Sequence, residues 1–271
     1  MHLSDAVAIV TGAARGIGRA IAEAYASCGA RVALADVLAH EARATAVEIQ
    51  RAGGTALAVR CDVTARAEVE DMVTQVRERL GPVDILVNNA GSLSVLGPVW
   101  EADPERWLRD LMVNLYGTFL CSRAVLPGMI ERRGGYLINL VGAGVDPPHL
   151  YTTGYDASKA GVVRLTEALA QEAAEYGVKA FAMMPGTVRT AMTEFIADSP
   201  EGRRWRPSFR SIFEQGRDAP PDLAADLAVR LVSGAADALS GRYFRATEDL
   251  DEVIAQTDQI LADNLRVLRL R

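Results

Sequence analysis

Histidine and cysteine are scarce in this chain, with three of each in 271 residues. His2, His40 and His149 lie far apart, as do Cys28, Cys61 and Cys121. Neither a disulfide framework nor a metal-binding cluster is expected from such spacing. No stretch approaches the roughly 18 uninterrupted apolar residues of a membrane span. The chain does not open on a basic region followed by an apolar run, which argues against a secretory leader. Positive charge is in deficit as well. Lys and Arg number 29 against 35 Asp and Glu, a formal charge of −6, which argues against nucleic acid or anionic membrane as a main partner. The one basic cluster, Arg203, Arg204, Arg206, Arg210 and Arg217, reads as a solvated loop face before it reads as an anion site. A cytoplasmic protein acting on a small molecule is the expectation.

What the chain does have is a repeated alternation. Short runs rich in Val, Ile, Leu and Ala predict strands at Ala6–Val10, Arg31–Ala35, Ala56–Arg60, Ile85–Val87, Tyr136–Leu140, Val178–Met183 and Arg242–Arg245. Helical patterns separate them, and Val69, Met72, Val73, Val76 and Leu80 form the clearest one-sided stripe. Continuously apolar strands suit a parallel sheet buried on both faces. The expected fold is α/β, a single Rossmann-type doubly wound domain over 1–271, with a seven-stranded, mostly parallel sheet and helices on both faces. Residues 191–221, with Pro200, Pro207, Pro220 and Pro221, are expected to form a substrate loop or helical flap beyond the strand ends. Residues 248–271 are expected to form a helical tail docked through Leu250, Val253, Ile254, Thr257 and Leu261.

The first strand runs into Thr11-Gly12-Ala13-Ala14-Arg15-Gly16-Ile17-Gly18 and then into a helix. Gly12 permits a tight turn, Gly16 lets backbone amides approach a pyrophosphate, and Gly18 lets helix and strand pack closely. Asp36 ends the second strand at the distance where a carboxylate can accept bonds from both adenosine ribose hydroxyls and repel a 2′-phosphate. This favours NAD. Arg15, whose guanidinium could pair with that phosphate, keeps NADP as the alternative.

With Asp62-Val63, Asn88-Asn89-Ala90-Gly91, Asn114, Tyr155-Asp156-Ala157-Ser158-Lys159 and Pro185-Gly186 added, the chain resembles the short-chain dehydrogenase/reductase family over nearly its whole length. The resemblance implies that Asp62 and Val63 hold the adenine, and that Asn89, Ala90 and Gly91 line the cofactor cleft. It likewise implies that Ile17, Pro185, Gly186, Val188 and Thr190 contribute to the cofactor site, Thr190 at the nicotinamide end. Tyr155 and Lys159, four apart on a helix, project from one face. A nearby ammonium favours phenolate and would draw the tyrosine toward neutrality, so that Tyr155 can exchange a proton with an alcohol or carbonyl. By resemblance Lys159 also holds the nicotinamide ribose, and Asn114 organises a water relay behind it. A homotetramer or homodimer built on the helices around 104–130 and 155–176 is implied too.

One position departs from the pattern. The family places a serine 13 residues before the tyrosine, where it bonds the substrate oxygen, and here that position is Gly142. Loss of one preorganised donor typically lowers the rate by on the order of 100- to 1,000-fold. Gly142, Gly144 and Tyr151 therefore mark the substrate region. Tyr151, Thr152, Thr153, His149, a substrate hydroxyl or a water are each possible substitutes for the missing group. Two classes of function follow. The first is an NAD(H)-dependent oxidoreductase acting on an alcohol/carbonyl pair. The alternative is a protein of this fold with no redox turnover, either an NAD-binding sensor or subunit or an isomerase or cyclase.

Overall fold

The computed structural model describes residues 3–145 and 147–269. His2 and the last two residues of the tail lie outside the described residues. Seven strands form one sheet: β1 (Val7–Thr11), β2 (Arg31–Asp36), β3 (Thr55–Arg60), β4 (Ile85–Asn88), β5 (Gly135–Leu140), β6 (Val178–Met184) and β7 (Tyr243–Arg245). Every pairing is parallel, in the order β3-β2-β1-β4-β5-β6-β7.

Side-chain alternation explains why these strands carry no polar face. On β1, Ala8 and Val10 enter one core cluster, while Val7 and Ile9 enter the other. On β2, Val32 and Leu34 likewise oppose Ala33 and Ala35. Successive residues point to opposite faces, so a strand covered on both sides must be apolar throughout. The first layer comprises α1 (Gly16–Ser27), α2 (Ala39–Arg51) and α10 (Pro221–Leu231); the Tyr25 hydroxyl of α1 donates to the Ala228 carbonyl of α10 at 3.1 Å. The second comprises α3 (Arg66–Arg79), α5 (Gly117–Arg132) and α6 (Thr153–Glu172). The expected α3 stripe is its buried face, with Val69, Met72, Val76 and Leu80 buried and Val73 packed against them.

Strand order reverses between β1 and β4, which opens a crevice at their carboxyl ends. Between β4 and α5 lie α4 (Pro104–Leu111), capped by Asp103, and a single π-helical turn over Met112–Tyr116. Such a turn shifts the side-chain phase of the helix, and here it carries the fully buried Asn114.

The sequence expects a loop or helical flap at 191–221 and a helical tail at 248–271, and only the tail differs in detail. The 191–221 segment is largely helical: α7 (Ala191–Asp198), α8 (Pro200–Trp205) and α9 (Ser211–Glu214). The tail is helical only through α11 (Leu250–Ala255) and α12 (Thr257–Ala262). The break at Gln256 turns the second helix, so Ile260 is buried and Leu261, placed on the docked stripe by its spacing, is exposed. Beyond α12 the chain is irregular and is held by the buried Glu167 of α6. That carboxylate accepts from the Leu268 amide at 2.6 Å and from Arg269 Nη1 at 3.0 Å, and it also pairs with Arg164.

Candidate active site

The glycine-rich turn is held open by contacts that no other residue would permit. Gly12 has φ +63°, and a Cβ there would stand 2.9 Å from the Ala90 Cα. A Cβ on Gly18 would run into the Gly12 carbonyl oxygen. Asn89 explains this crowding: its amide nitrogen donates to the Thr11 and Gly12 carbonyls at 2.8 and 2.9 Å. The Thr11 hydroxyl accepts from the Asn89 and Ala90 amides, both at 3.1 Å. The turn after β1 and the segment after β4 are thereby locked together. Gly16, at φ +58°, faces the Thr190 methyl, 3.2 Å from a hypothetical Cβ. These glycines leave the backbone bare at the amino end of α1, an arrangement that fits a pyrophosphate. Ile17 is turned away, packing on the core.

Asp36 stands beside this turn, nearly buried. Its two carboxylate oxygens accept separately from the Ala14 and Leu38 amides, each at 2.9 Å. Arg15 is exposed, and its guanidinium makes no hydrogen bond or ion pair among the described residues. Asp62 caps the approach to α3 through the Thr64 amide and hydroxyl at 2.9 and 2.8 Å. The Val63 side chain is buried against Gly117 of α5. Pro185 is buried; Gly186, at φ +84°, lets Ala219 approach; and the buried Val188 bridges to Ala219. The Thr190 hydroxyl is engaged in a capping box with Thr193 at the start of α7.

Tyr155 and Lys159 share one face of α6, with the Lys159 Nζ 5.8 Å from the Tyr155 ring centre. Lys159 is buried and donates to the Leu140 carbonyl at 2.8 Å. Burial pulls its ammonium down to about 8. Tyr155 does not follow the expected course toward neutrality. Burial pushes its phenol up, and the carboxylates of Asp156 and Asp110 push it further. With Lys159 bonded to a backbone carbonyl, no cation offsets these effects at the hydroxyl.

Asn114 ties three elements together. Its oxygen accepts from the Ser92 amide at 2.8 Å, and its nitrogen donates to the Ser92 carbonyl at 2.8 Å and to the Ser158 hydroxyl at 2.9 Å. Ser158 in turn donates to the Tyr155 carbonyl at 2.6 Å. Gly91 sits above this network, 3.3 Å from Asn114 Oδ1 at the position of a Cβ. Sequence reasoning missed Asp110, which is fully buried on α4. It accepts from the Ser92 hydroxyl at 2.7 Å, the Ser94 hydroxyl at 2.8 Å and the Ser94 amide at 2.9 Å. Its one sequence signal was a position four residues before Asn114, on the same helical face.

At Gly142 the empty place of a side chain is taken by Tyr155. A Cβ there would stand 2.6 Å from both the ring edge and the hydroxyl oxygen. Gly144 gives room to a different group, since a Cβ would overlap the Asp156 carboxylate, which accepts from the His149 amide at 2.6 Å and from Thr152 at 3.2 Å. His149 is half-buried, and burial together with Arg206 pushes its imidazole toward the neutral form against the pull of Asp156. Tyr151, with φ +72°, packs on Trp205 of α8 at 4.9 Å between ring centres. Trp107 donates to the Thr153 hydroxyl at 3.1 Å. Leu93, Leu96 and Ile196 form a buried cluster against which Tyr151, Tyr155, Met192, Phe195 and Phe209 pack, so the 191–221 segment joins the same cluster as the tyrosine. The arginines of that segment are engaged within it or with the neighbouring loop. Arg203 bonds the Asp198 carbonyl, Arg210 pairs with Asp198 and Glu214, Arg204 lies over Trp205, and Arg206 reaches the Leu150 carbonyl.

Known proteins resemble this chain in sequence and in fold. The family model described as short chain dehydrogenase matches residues 6–201. D-threitol dehydrogenase of Mycolicibacterium smegmatis is 38% identical over 240 residues, covering 89% of this chain and 90% of that protein. Sorbitol dehydrogenase of Cereibacter sphaeroides is 34% identical over 270 residues, covering 97% and 99%. A crystal structure of a variant actinorhodin polyketide ketoreductase with NADPH superposes with a TM-score of 0.83 at 34% identity, covering 90% of this chain and 96% of that one.

Proposed function

The chain belongs to the short-chain dehydrogenase family, and from that premise we propose that it is an NAD(H)-dependent oxidoreductase in which Tyr155 exchanges the proton with an alcohol or carbonyl substrate. The family's chemistry is oxidoreduction at an alcohol or carbonyl carbon with a nicotinamide cofactor. A nicotinamide held at the glycine turn would supply the hydride donor or acceptor for the carbinol carbon, and Tyr155 would give or take the O–H proton, so that alcohol and ketone interconvert in balance.

The observation that carries the reading is the placement of Tyr155 and Lys159. They stand on one helix face at the carboxyl end of β5, the buried Lys159 bonded to the Leu140 carbonyl and the half-buried Tyr155 against Gly142. Tyr155 presents a hydroxyl that is protonated at neutral pH, the form that donates to a carbonyl oxygen. Lys159 is the cation in reach of its ring. In alcohol oxidation the tyrosine must first lose its proton, so that direction gains with rising pH and reduction weakens. Asn114 fixes the backbone of Tyr155 through Ser158.

NAD is favoured by Asp36 at the end of β2, whose negative charge would repel a 2′-phosphate, next to the exposed Val37, which offers no cation. The unpaired Arg15 supports NADP as the second reading, in line with the NADPH held by the structural relative. The assembly proposed is a homo-oligomer, dimer or tetramer, through helices α4 to α6, where Leu108, Tyr116 and Phe119 are exposed.

The test is turnover of a panel of alcohols and ketones with NAD(H) and NADP(H), alongside Tyr155→Phe. Loss of at least about 1,000-fold in kcat with unchanged NADH binding is expected. Turnover that survives the substitution would remove Tyr155 from the chemistry. Tight NADH binding with no turnover of any pair would favour the sensing or non-redox alternative.

A further inference from the structure

Resting on the oxidoreductase reading, we propose that the substrate is an apolar, ring-bearing secondary alcohol or its ketone, seated between Tyr155 and α7, and not a sugar alcohol. The cluster that Tyr155 joins is built from separate segments and, apart from the Tyr151 phenol, is apolar. The loop after β4 gives Leu93 and Leu96, α7 gives Met192, Phe195 and Ile196, and Phe209 follows from beyond α8. Gly142, on the strand side, adds no polar group.

Apart from the Tyr151 phenol, the hydroxyls interleaved with that wall are already committed. Ser92 and Ser94, flanking Leu93, both donate to Asp110. Thr152, next to Tyr151, bonds Asp156. Thr190 and Thr193, flanking Met192, cap α7, and Thr193 also donates to the Val188 carbonyl. The nearby carboxylates offer nothing further, because Asp110 is fully buried among its serine donors and Asp156 is closed over by His149 and Thr152. Arg206 lies over Phe209 and points to the Leu150 carbonyl.

A polyol brings several hydroxyls besides the reacting one, and each must keep a partner when it leaves water. Here they would face leucine, methionine and phenylalanine. A ring-bearing substrate needs one polar contact at its oxygen and apolar surface elsewhere, which is what Tyr155 and the wall offer. The site therefore differs in chemistry from what the names of the threitol and sorbitol dehydrogenases would suggest for a relative.

The experiment compares 1-indanol and 1-indanone with threitol and sorbitol, using NAD+ or NADH and the full chain. The kcat/KM for 1-indanol is expected to exceed that of either polyol by at least about 100-fold. Phe195→Asn, which sets an amide into the wall, should raise the KM for 1-indanol by roughly 10-fold with kcat little changed. Calorimetric titration of 1-indanol into the protein with NADH gives a readout independent of turnover, and binding there should carry a negative heat-capacity change. Polyols preferred over 1-indanol would overturn the substrate class and leave the oxidoreductase reading standing. Saturable 1-indanol binding without turnover of any pair would support the class and sink that reading. Neither turnover nor binding of 1-indanol would overturn the proposal.

Discussion

Tyr155 lies against Gly142 so closely that a methyl group at that position would stand 2.6 Å from the phenol oxygen. The glycine is therefore more than a missing donor, because it leaves the space into which the tyrosine is drawn. Adding a serine changes two things at once, a hydroxyl and a Cβ that displaces the ring. Gly142→Ala isolates the second and should lower kcat by about 10-fold or more, since ring placement governs proton transfer. Gly142→Ser should recover part of that loss but stay below the parent. Steady-state kinetics of both variants decide the matter, and a serine variant faster than the parent would show that the tyrosine yields its place freely.

Asp36 makes two statements at once, one about the fold and one about the cofactor. Its oxygens hold the Ala14 and Leu38 amides, so Asp36→Asn keeps one acceptor and leaves the other amide facing an NH2 group. A destabilisation of about 1–3 kcal/mol is expected. The lost charge should also raise the NADPH-to-NADH ratio of kcat/KM by roughly 10-fold or more. Thermal unfolding and the two cofactor titrations check each half. An unchanged ratio would remove Asp36 from cofactor selection.

Asp110 offers a test that separates charge from packing. It supports the Ser92–Asn114 network and its negative charge helps hold the Tyr155 phenol in its protonated form. The charged groups facing that tyrosine are Asp110 from α4 and, from α6, Asp156 and Lys159. Removing one carboxylate lowers the phenol's pKa, so in Asp110→Asn the rise of oxidation rate with pH should begin at lower pH. A loosened network alone would reduce kcat at every pH without moving the profile, and that outcome would confine Asp110 to packing.

The seven strands fall within one residue of where the sequence puts them, because a strand buried on both faces has to be continuously apolar and bounded by turn residues. The glycine turn, Asp36 and the Tyr155–Lys159 pair were readable for a similar reason, since each is a local pattern on one element. The lid was not. Met192 and Phe195 meet Leu93 and Leu96 only through the fold, and no periodicity within 191–221 announces that contact. Asp110 was hidden likewise, because a lone acid in Pro104–Leu111 reads as a solvated face until Ser92 and Ser94 arrive from the other side. The tyrosine's acidity was misjudged because spacing brings Lys159 near the ring but does not tell that its ammonium bonds Leu140.

Lys159 sets function against stability. Burial draws its ammonium from an ordinary 10.5 down to about 8, so the unfolded chain holds that proton more tightly than the folded one. Below pH 8 the folded state bears the whole penalty, about 3 kcal/mol at 1.36 kcal/mol per unit, and the penalty fades as pH climbs toward 10.5. Lys159→Met removes the charge and also the donor to the Leu140 carbonyl, a loss of about 1 kcal/mol. The variant should be inactive yet more stable at pH 7, by roughly 1–2 kcal/mol or a few degrees in Tm. Its advantage should shrink as pH rises from 7 to 10, because the parent sheds its penalty over that range. Calorimetric melting of both proteins across that range is the check. A variant that melts lower at pH 7, or a difference that ignores pH, would mean that the buried ammonium is not a burden the fold carries for the sake of the reaction.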